Sequence, residues 1–151
     1  MSVVHLERAE PQQLAAIRAT TSPPRLGADI IGSLDKIWPV LRAQGASTGH
    51  NVVVYYGGPP GTLEIDVGVQ VTGDFAAAGE IRSVLTPAGE VATTAHFGEY
   101  SEMDGAYAAL TQWCADNERA QAGVSWEVYG DWDDDPTRRR TDIYFLLAPA
   151  A

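Results

Sequence analysis

The sequence VSWEVYG at residues 124–130 repeats the pattern of NVVVYYG at residues 51–57. Both stretches are rich in β-branched and aromatic residues and end in Tyr-Gly, which favours a strand closed by a turn. Aligning the two Tyr-Gly pairs places Val54 on Glu127. The two stretches therefore predict corresponding strands of a duplicated unit, with an acid in the second copy where the first copy has valine.

The order of predicted elements outward from these stretches is also repeated. Alternating or branched runs predict strands, and apolar residues at helical spacing predict helices. The predicted first half has strands at 3–9, 14–21, 51–57 and 62–71, with a helix whose apolar stripe is Ile30, Leu34, Ile37, Trp38 and Leu41 and which stops before Gly45. The predicted second half has strands at 79–87, 89–98, 124–130 and 141–148, with a helix from about Ser101.

This repetition predicts an α+β fold with antiparallel sheets and two main helices, because each helix needs a sheet to cover. We expect a pseudo-two-fold tandem repeat of strand-helix-strand-strand units within one domain, residues 1–151. The first repeat covers about 3–73 and the second about 79–149.

The second helix carries its own start signal and apolar stripe. Ser101 with Asp104 three residues later resembles a capping box, which satisfies backbone N–H groups at a helix start. Residues at helical spacing predict the face that packs into the core: Met103, Tyr107, Leu110 and Cys114.

Composition limits the classes of function. The formal net charge of −10 disfavours direct nucleic-acid binding and anionic membrane surfaces, and it favours cationic ligands. The single Cys114 requires no oxidising compartment. Residues 1–11 lack the apolar core of a signal peptide, and no apolar run approaches a membrane span. We therefore expect a cytoplasmic protein.

The spacing of the acidic residues and histidines also disfavours a metal site. The alternating aspartates of residues 131–135 have the spacing of a calcium loop, but Pro136 stands where that loop needs glycine. A solvated acidic turn is the better interpretation. The three histidines, His5, His50 and His96, lack zinc-ligand spacing. We expect neither a metal nor a cofactor.

The stretch LTPAGEVATTAHFGEYSEMDGAYAALTQW at residues 85–113, followed by WEVYGDW and the strand TDIYFLLA, resembles the GyrI-like small-molecule-binding domain. That module is similar to the effector-binding domain of MerR-type and AraC-type multidrug regulators. The resemblance covers nearly the whole chain and implies a ligand cleft between the two halves. No helix-turn-helix segment is present in the sequence, so we expect the stand-alone form of the domain.

The resemblance implies that an acid and aromatic residues line the cleft, where typical ligands are flat, lipophilic and often cationic. The match to the Glu-x-Tyr strand is Glu127 with Tyr129, which point to the same strand face. The other expected contacts are aromatic: Trp38, Tyr55, Tyr56, Phe97, Tyr100, Tyr107 and Trp132. The alternative is a glutamate on a solvent-facing strand side, with Trp126 and Val128 packed under the helices.

Three functions remain open at this point. The first is capture of lipophilic, aromatic or cationic compounds, as a sensor or a protective sink. The second is cofactor-independent hydrolysis of cyclopropane-bearing alkylating compounds, since some stand-alone members of the family are similar to such hydrolases. In that role Glu127 is a general base or acid and Tyr129 a hydroxyl donor. The third is a protein-interaction module with a protein partner, for example an inhibitor of a topoisomerase such as gyrase.

Overall fold

The computed structural model describes residues 2–150, which contain eight β-strands and two α-helices. In chain order they are β1 His5–Ala9, β2 Gln13–Thr21, α1 Leu26–Gln44, β3 Ser47–Gly57, β4 Leu63–Thr72, β5 Arg82–Leu85, β6 Gly89–Phe97, α2 Asp104–Asp116, β7 Gln121–Tyr129 and β8 Arg140–Leu147. The predicted antiparallel α+β fold with two main helices is confirmed. Neither helix is long and apolar enough to cross a membrane.

The chain divides into two compact units, named here after their helices. The α1 unit runs from Pro11 to Thr86, and the α2 unit combines the residues through Glu10 with the chain from Pro87 onward. In the α1 unit, antiparallel pairing gives the strand order β3-β4-β2-β5. In the α2 unit, the order is β1-β6-β8-β7, also antiparallel.

Each unit takes one edge strand from the other half of the sequence. β1 precedes β2 along the chain but pairs with β6, and β5 precedes β6 but pairs with β2. The compact units therefore differ from the predicted continuous repeats at about 3–73 and 79–149. Those repeats stay a description of the sequence, whereas the folded units are discontinuous.

The core of the α1 unit lies between α1 and one face of its sheet. Ile37 and Leu41 are fully buried and pack against β2 and β4, including Ile17 and Val69. Burial of such aliphatic side chains contributes about 1.5–3 kcal/mol each. The helix ends as predicted, because Gly45 adopts a left-handed φ of 64° and its N–H bonds back to the last turn.

The core of the α2 unit is built in the same way from a shorter helix. Leu110 and Cys114 of α2 pack against Ile143 and Phe145 of β8. The predicted capping box is wrong, because Ser101 lies in a short 3-10 helix, Tyr100–Glu102, and α2 begins only at Asp104. Ser101 is therefore not the extended residue from which a side chain caps a helix.

One strand begins earlier than its apolar residues predict. β3 begins at Ser47, whereas the branched and aromatic run begins only at Asn51. Ser47 and Thr48 pair with Thr72 and Val71 of β4. Strand pairing uses backbone groups that polar residues also supply, so the polar segment extends the strand.

Candidate ligand-binding site

Glu127 lies on the face of the α2-unit sheet that α2 covers. It is opposite Ile143 on β8, and alternation along the strand places it on the same face as Tyr129. Ile143 belongs to the core formed with α2. Only 3% of Glu127 is exposed to solvent. A carboxylate in such surroundings is costly unless hydrogen bonds or charges compensate it.

Two phenols supply hydrogen bonds to this carboxylate. Tyr107 of α2 donates its hydroxyl to Glu127 Oε2, and Tyr129 of β7 donates its hydroxyl to Oε1. Hydrogen bonds to an ionised acceptor are stronger than neutral ones. Glu127 is thus a buried acid whose two oxygens both face aromatic side chains.

A third tyrosine extends this group toward the surface. The ring of Tyr100 meets the ring of Tyr129 edge to face, with centroids 5.5 Å apart, and Tyr100 is 40% exposed. The ring of Tyr107 also lies 5.8 Å from that of Phe145. We call Glu127, Tyr100, Tyr107 and Tyr129 the acid-tyrosine cluster. It joins a buried carboxyl group to an exposed aromatic ring.

The segment that carries Tyr100 is shaped by Gly98. This glycine has a φ of 141°, and a Cβ there would lie 3.3 Å from the His96 ring. The imidazole Nε2 of His96 lies 2.9 Å from the carbonyl oxygen of Glu99, so the ring donates this hydrogen bond. A glycine turn and a histidine together fix where the segment leaves β6.

The opposite face of the sheet holds Trp126. Its ring is buried and stacks on Tyr144 of β8, with centroids 5.2 Å apart and planes 9° from parallel. Burial, and then the nearby acids Asp142 and Glu7, raise the pKa of Tyr144. The alternative in which Glu127 faces solvent while Trp126 packs under the helix is wrong, because Glu127 is the residue that α2 contacts.

The strand registers also correct the predicted match between Val54 and Glu127. Val54 pairs with Asp66, which lies on the face opposite α1, whereas Tyr55 pairs with Ile65 on the face toward α1. Tyr56 is an extra residue in a bulge between Tyr55 and Gly57. A bulge shifts the alternation by one residue. Val54 therefore lies on the sheet face away from its own helix, α1, whereas Glu127 lies on the face toward its own helix, α2.

Two other predicted aromatic contacts in the α2 unit lie outside the acid-tyrosine cluster. Phe97 is 57% exposed, on the sheet face opposite α2, with the Arg140 guanidinium 5.5 Å from its ring. Trp132, in the turn after β7, is 64% exposed, and the Arg139 guanidinium lies 3.6 Å from its ring. Their roles as ligand contacts stay predictions, as do the catalytic roles of Glu127 and Tyr129.

The remaining predicted contacts belong to the α1 unit. Trp38 packs against the α1 core and donates its indole N–H to Asn51 at 2.9 Å. Tyr55 is half-buried on the α1 side of β3. The hydroxyl of Tyr56 donates to Asp66 at 2.7 Å. The contacts of Trp38 and Tyr56 support the structure of their own unit, and ligand roles for all three stay predictions.

Asp66 is a second buried acid, which the sequence reasoning missed. It is 1% exposed and accepts two hydrogen bonds from Arg18, at 2.7 and 3.1 Å, with Arg82 3.6 Å away. The Arg18 guanidinium also lies 4.6 Å from the Tyr56 ring. The signal for this site was an aspartate between Ile65 and Val67 in the run LEIDVGVQV.

The surroundings of Asp66 raise the pKa of two of its neighbours, Arg18 and Tyr56. The hydrogen bond to Asp66 raises the pKa of Arg18. Burial, followed by the hydrogen bond to Asp66, raises the pKa of Tyr56 to about 12. The guanidinium groups of Arg18 and Arg82 therefore compensate the burial of Asp66, which explains this acid as part of the structure of the α1 unit.

The acidic turn before β8 is stabilised from within. Asp135 accepts hydrogen bonds from the backbone N–H and the hydroxyl of Thr137, which lower its pKa. Asp133 accepts the backbone N–H of Asp135 at 2.9 Å. Within residues 2–150, no three His, Cys, Asp or Glu side chains are grouped to hold a metal ion.

Comparison with known proteins agrees with this architecture. The model of the GyrI-like small molecule binding domain family matches residues 2–148. The chain belongs to this family. The GyrI-like domain is thus a small-molecule-binding domain, and no curated protein sequence matches it significantly.

Solved structures share the fold of this GyrI-like domain. The C-terminal domain of EcmrR aligns with a TM-score of 0.77 at 19% identity, over 99% of both chains. EcmrR in its DNA complex aligns with a TM-score of 0.81 at 19% identity, covering 99% of this chain but 58% of that one. SAV2435 bound to tetraphenylphosphonium aligns with a TM-score of 0.69 at 13% identity, over 97% of this chain and 94% of that one.

Proposed function

We propose that this GyrI-like domain captures lipophilic organic cations at the acid-tyrosine cluster, as a sensor or a protective sink. The observation that carries the proposal is the buried carboxylate of Glu127, held by the phenols of Tyr107 and Tyr129 on an aromatic-lined face. A carboxylate held in this way lies among apolar and aromatic side chains, where a bound cation would supply its counter-charge.

A cation beside Glu127 is attracted more strongly than a cation beside a carboxylate on the protein surface. The attraction between two charges increases as the effective dielectric falls. Ring faces add roughly 0.5–2 kcal/mol for a desolvated cation, and the tyrosines of the cluster supply such rings. The hydroxyls of Tyr107 and Tyr129 orient the carboxylate before the ligand arrives, which lowers the ordering cost of binding.

The charge of the whole chain acts in the same direction. A formal net charge of −10 attracts cations and repels anions at long range. This field affects every site on the protein. The preference of a cation for this cluster over other sites on the protein must therefore come from Glu127 and its aromatic neighbours.

A structural neighbour supports the ligand class. SAV2435 shares the fold and was solved with bound tetraphenylphosphonium. That ion has no hydrogen-bond donor, so charge and aromatic contact are the interactions left to recognise it. A buried carboxylate among tyrosines offers both.

The test compares two ions of the same shape and opposite charge. We expect tetraphenylphosphonium to bind and tetraphenylborate to bind far more weakly, as measured by calorimetry. In Glu127→Gln, the affinity for the phosphonium should fall by tenfold or more. The bound compound should be recovered chemically unchanged, since capture needs no reaction.

A matched control separates the site from the overall field. Glu7→Gln removes the same charge from an exposed residue on the opposite face of the same sheet, and it should leave phosphonium affinity within about twofold because surface charges are screened. Equal losses in the two variants, or equal binding of both ions to the native protein, would refute the proposal.

A further inference from the structure

Thr141 places a second polar group on the face that carries Glu127. It is the first residue of the alternating series Thr141, Ile143, Phe145 on β8, which faces α2. It pairs with Tyr129 of β7 on one side and His96 of β6 on the other. Directly opposed residues in such pairs have Cβ atoms about 4.5–5.5 Å apart. Thr141 is therefore a neighbour of the acid-tyrosine cluster.

The hydroxyl of Thr141 is buried without a hydrogen bond. Thr141 is 0% exposed, and its Oγ1 has no hydrogen-bond partner within residues 2–150. Buried hydroxyls in native proteins are nearly always paired, and each exception calls for an explanation. Thr94, on the neighbouring β6, shows the usual situation, since its hydroxyl donates to the carbonyl of Val3 at 2.7 Å.

The segment after β6 contacts both of the residues that pair with Thr141. Tyr100 meets the ring of Tyr129, and the carbonyl of Glu99 accepts the hydrogen bond of His96. Tyr129 and His96 are the two residues that flank Thr141 in the sheet. The unpaired hydroxyl thus lies in the row of the sheet that Tyr100 and Glu99 contact.

We propose that the hydroxyl of Thr141 accepts a hydrogen bond from the ligand, so that the preferred ligands are aromatic ammonium ions with two or more N–H groups. The inference rests on the proposed cation site. One N–H is bound by the Glu127 carboxylate, and another by Thr141 in the next row of the sheet. A threonine hydroxyl has two lone pairs for such a bond. A permanently alkylated cation binds to the charge and the rings but leaves Thr141 unpaired.

The test uses two probes that differ only at nitrogen. They are 1-naphthylmethylammonium and its N,N,N-trimethyl counterpart, both titrated into the native protein and variants by calorimetry. Thr141→Val keeps the shape and removes the hydroxyl. We expect the ratio of primary to quaternary affinity to fall about tenfold, the usual effect of one hydrogen bond to a charged group. Thr141→Ser should keep the ratio, and Thr141→Ala should lose it.

Thr94→Val is the matched control. It makes the same chemical change at a hydroxyl that is already paired, so it should leave the ratio unchanged and lower the thermal midpoint of the unliganded protein. Thr141→Val should leave that midpoint unchanged or raise it, because it removes an unpaired hydroxyl.

The outcomes separate this inference from the proposed function. An unchanged ratio in Thr141→Val overturns the inference, whatever happens to stability. Binding of the quaternary probe alone to the native protein also overturns it and leaves the cation site intact. If the native protein binds neither tetraphenylphosphonium nor either naphthyl probe, the proposed cation site itself is refuted.

Discussion

The hydroxyl of Tyr107 on α2 donates a hydrogen bond to the buried carboxylate of Glu127 on β7. Tyr107 also packs against the core that α2 forms with its sheet. The same side chain therefore contributes to the packing of the helix and to the electrostatics of the proposed site. Stability and ligand affinity should both respond when its hydroxyl is removed.

Tyr107→Phe should lower the free energy of unfolding by about 1–3 kcal/mol, because a buried acceptor loses one of its donors. Chemical denaturation measures this change. Tyr100→Phe is the control, since Tyr100 is 40% exposed and its hydroxyl makes no bond to Glu127 among the hydrogen bonds described above; its effect should stay within about 0.5 kcal/mol. Equal effects of the two variants would contradict a special role for the Tyr107 hydroxyl.

In the arginine-aspartate group of the α1 unit, formed by Arg18, Arg82 and Asp66, the loss of Arg18 should lower the stability of the protein strongly. Arg18→Met removes the two hydrogen bonds from Arg18 to the buried Asp66. We expect a loss of about 3 kcal/mol, because a buried acid is left with less compensation. Arg25→Met makes the same change at an exposed arginine, which lies 3.8 Å from the half-buried Asp29, and should cost less than about 1 kcal/mol.

Tyr56 predicts a dependence of stability on alkaline pH. Its pKa rises from 10.0 to about 12 in the folded protein, through burial and then its bond to Asp66. A pKa that is higher in the folded state contributes stability that is complete below the unfolded pKa. That contribution is lost as the pH rises through the folded pKa.

The unfolding free energy measured from pH 9 to 12 should therefore fall less steeply in Tyr56→Phe than in the native protein. The remaining decline belongs to other groups, including Tyr144, whose pKa is also raised. An identical pH profile for the variant and the native protein would contradict this assignment.

Gly98 predicts that the segment carrying Tyr100 depends on a backbone shape that other residues avoid. Gly98→Ala combines a φ of 141° with a Cβ 3.3 Å from the His96 ring. We expect a loss of about 1–3 kcal/mol of stability. Gly105→Ala is the control, because a Cβ there meets nothing within 4 Å; as a residue in the first turn of α2, it should be neutral or stabilising by up to about 1 kcal/mol. A tolerated Gly98→Ala would show that this turn is easily reshaped.

Strand alternation was enough to predict from the sequence that Glu127 and Tyr129 share a face and that Trp126 lies on the other. It did not predict which face the helix covers, so the sequence placed Tyr107 on the core stripe of α2 and among the expected ligand contacts but gave its hydroxyl no partner. The bulge at Tyr56 is invisible to alternation, which explains the wrong match between Val54 and Glu127.

Other features depend on contacts between distant parts of the chain. The exchange of β1 and β5 between units requires pairing partners that no local pattern specifies. The compensation of Asp66 requires Arg18 and Arg82 from two other strands. The unpaired hydroxyl of Thr141 appears only when all neighbouring side chains are in place.

The most direct measurement of the central claim is a crystal structure with bound tetraphenylarsonium, whose arsenic is located by anomalous scattering. We expect an arsenic peak beside Glu127, on the face that α2 covers, with phenyl rings against the tyrosines of the cluster. A peak on the opposite face, near Trp126 and Tyr144, with none beside Glu127, would contradict it.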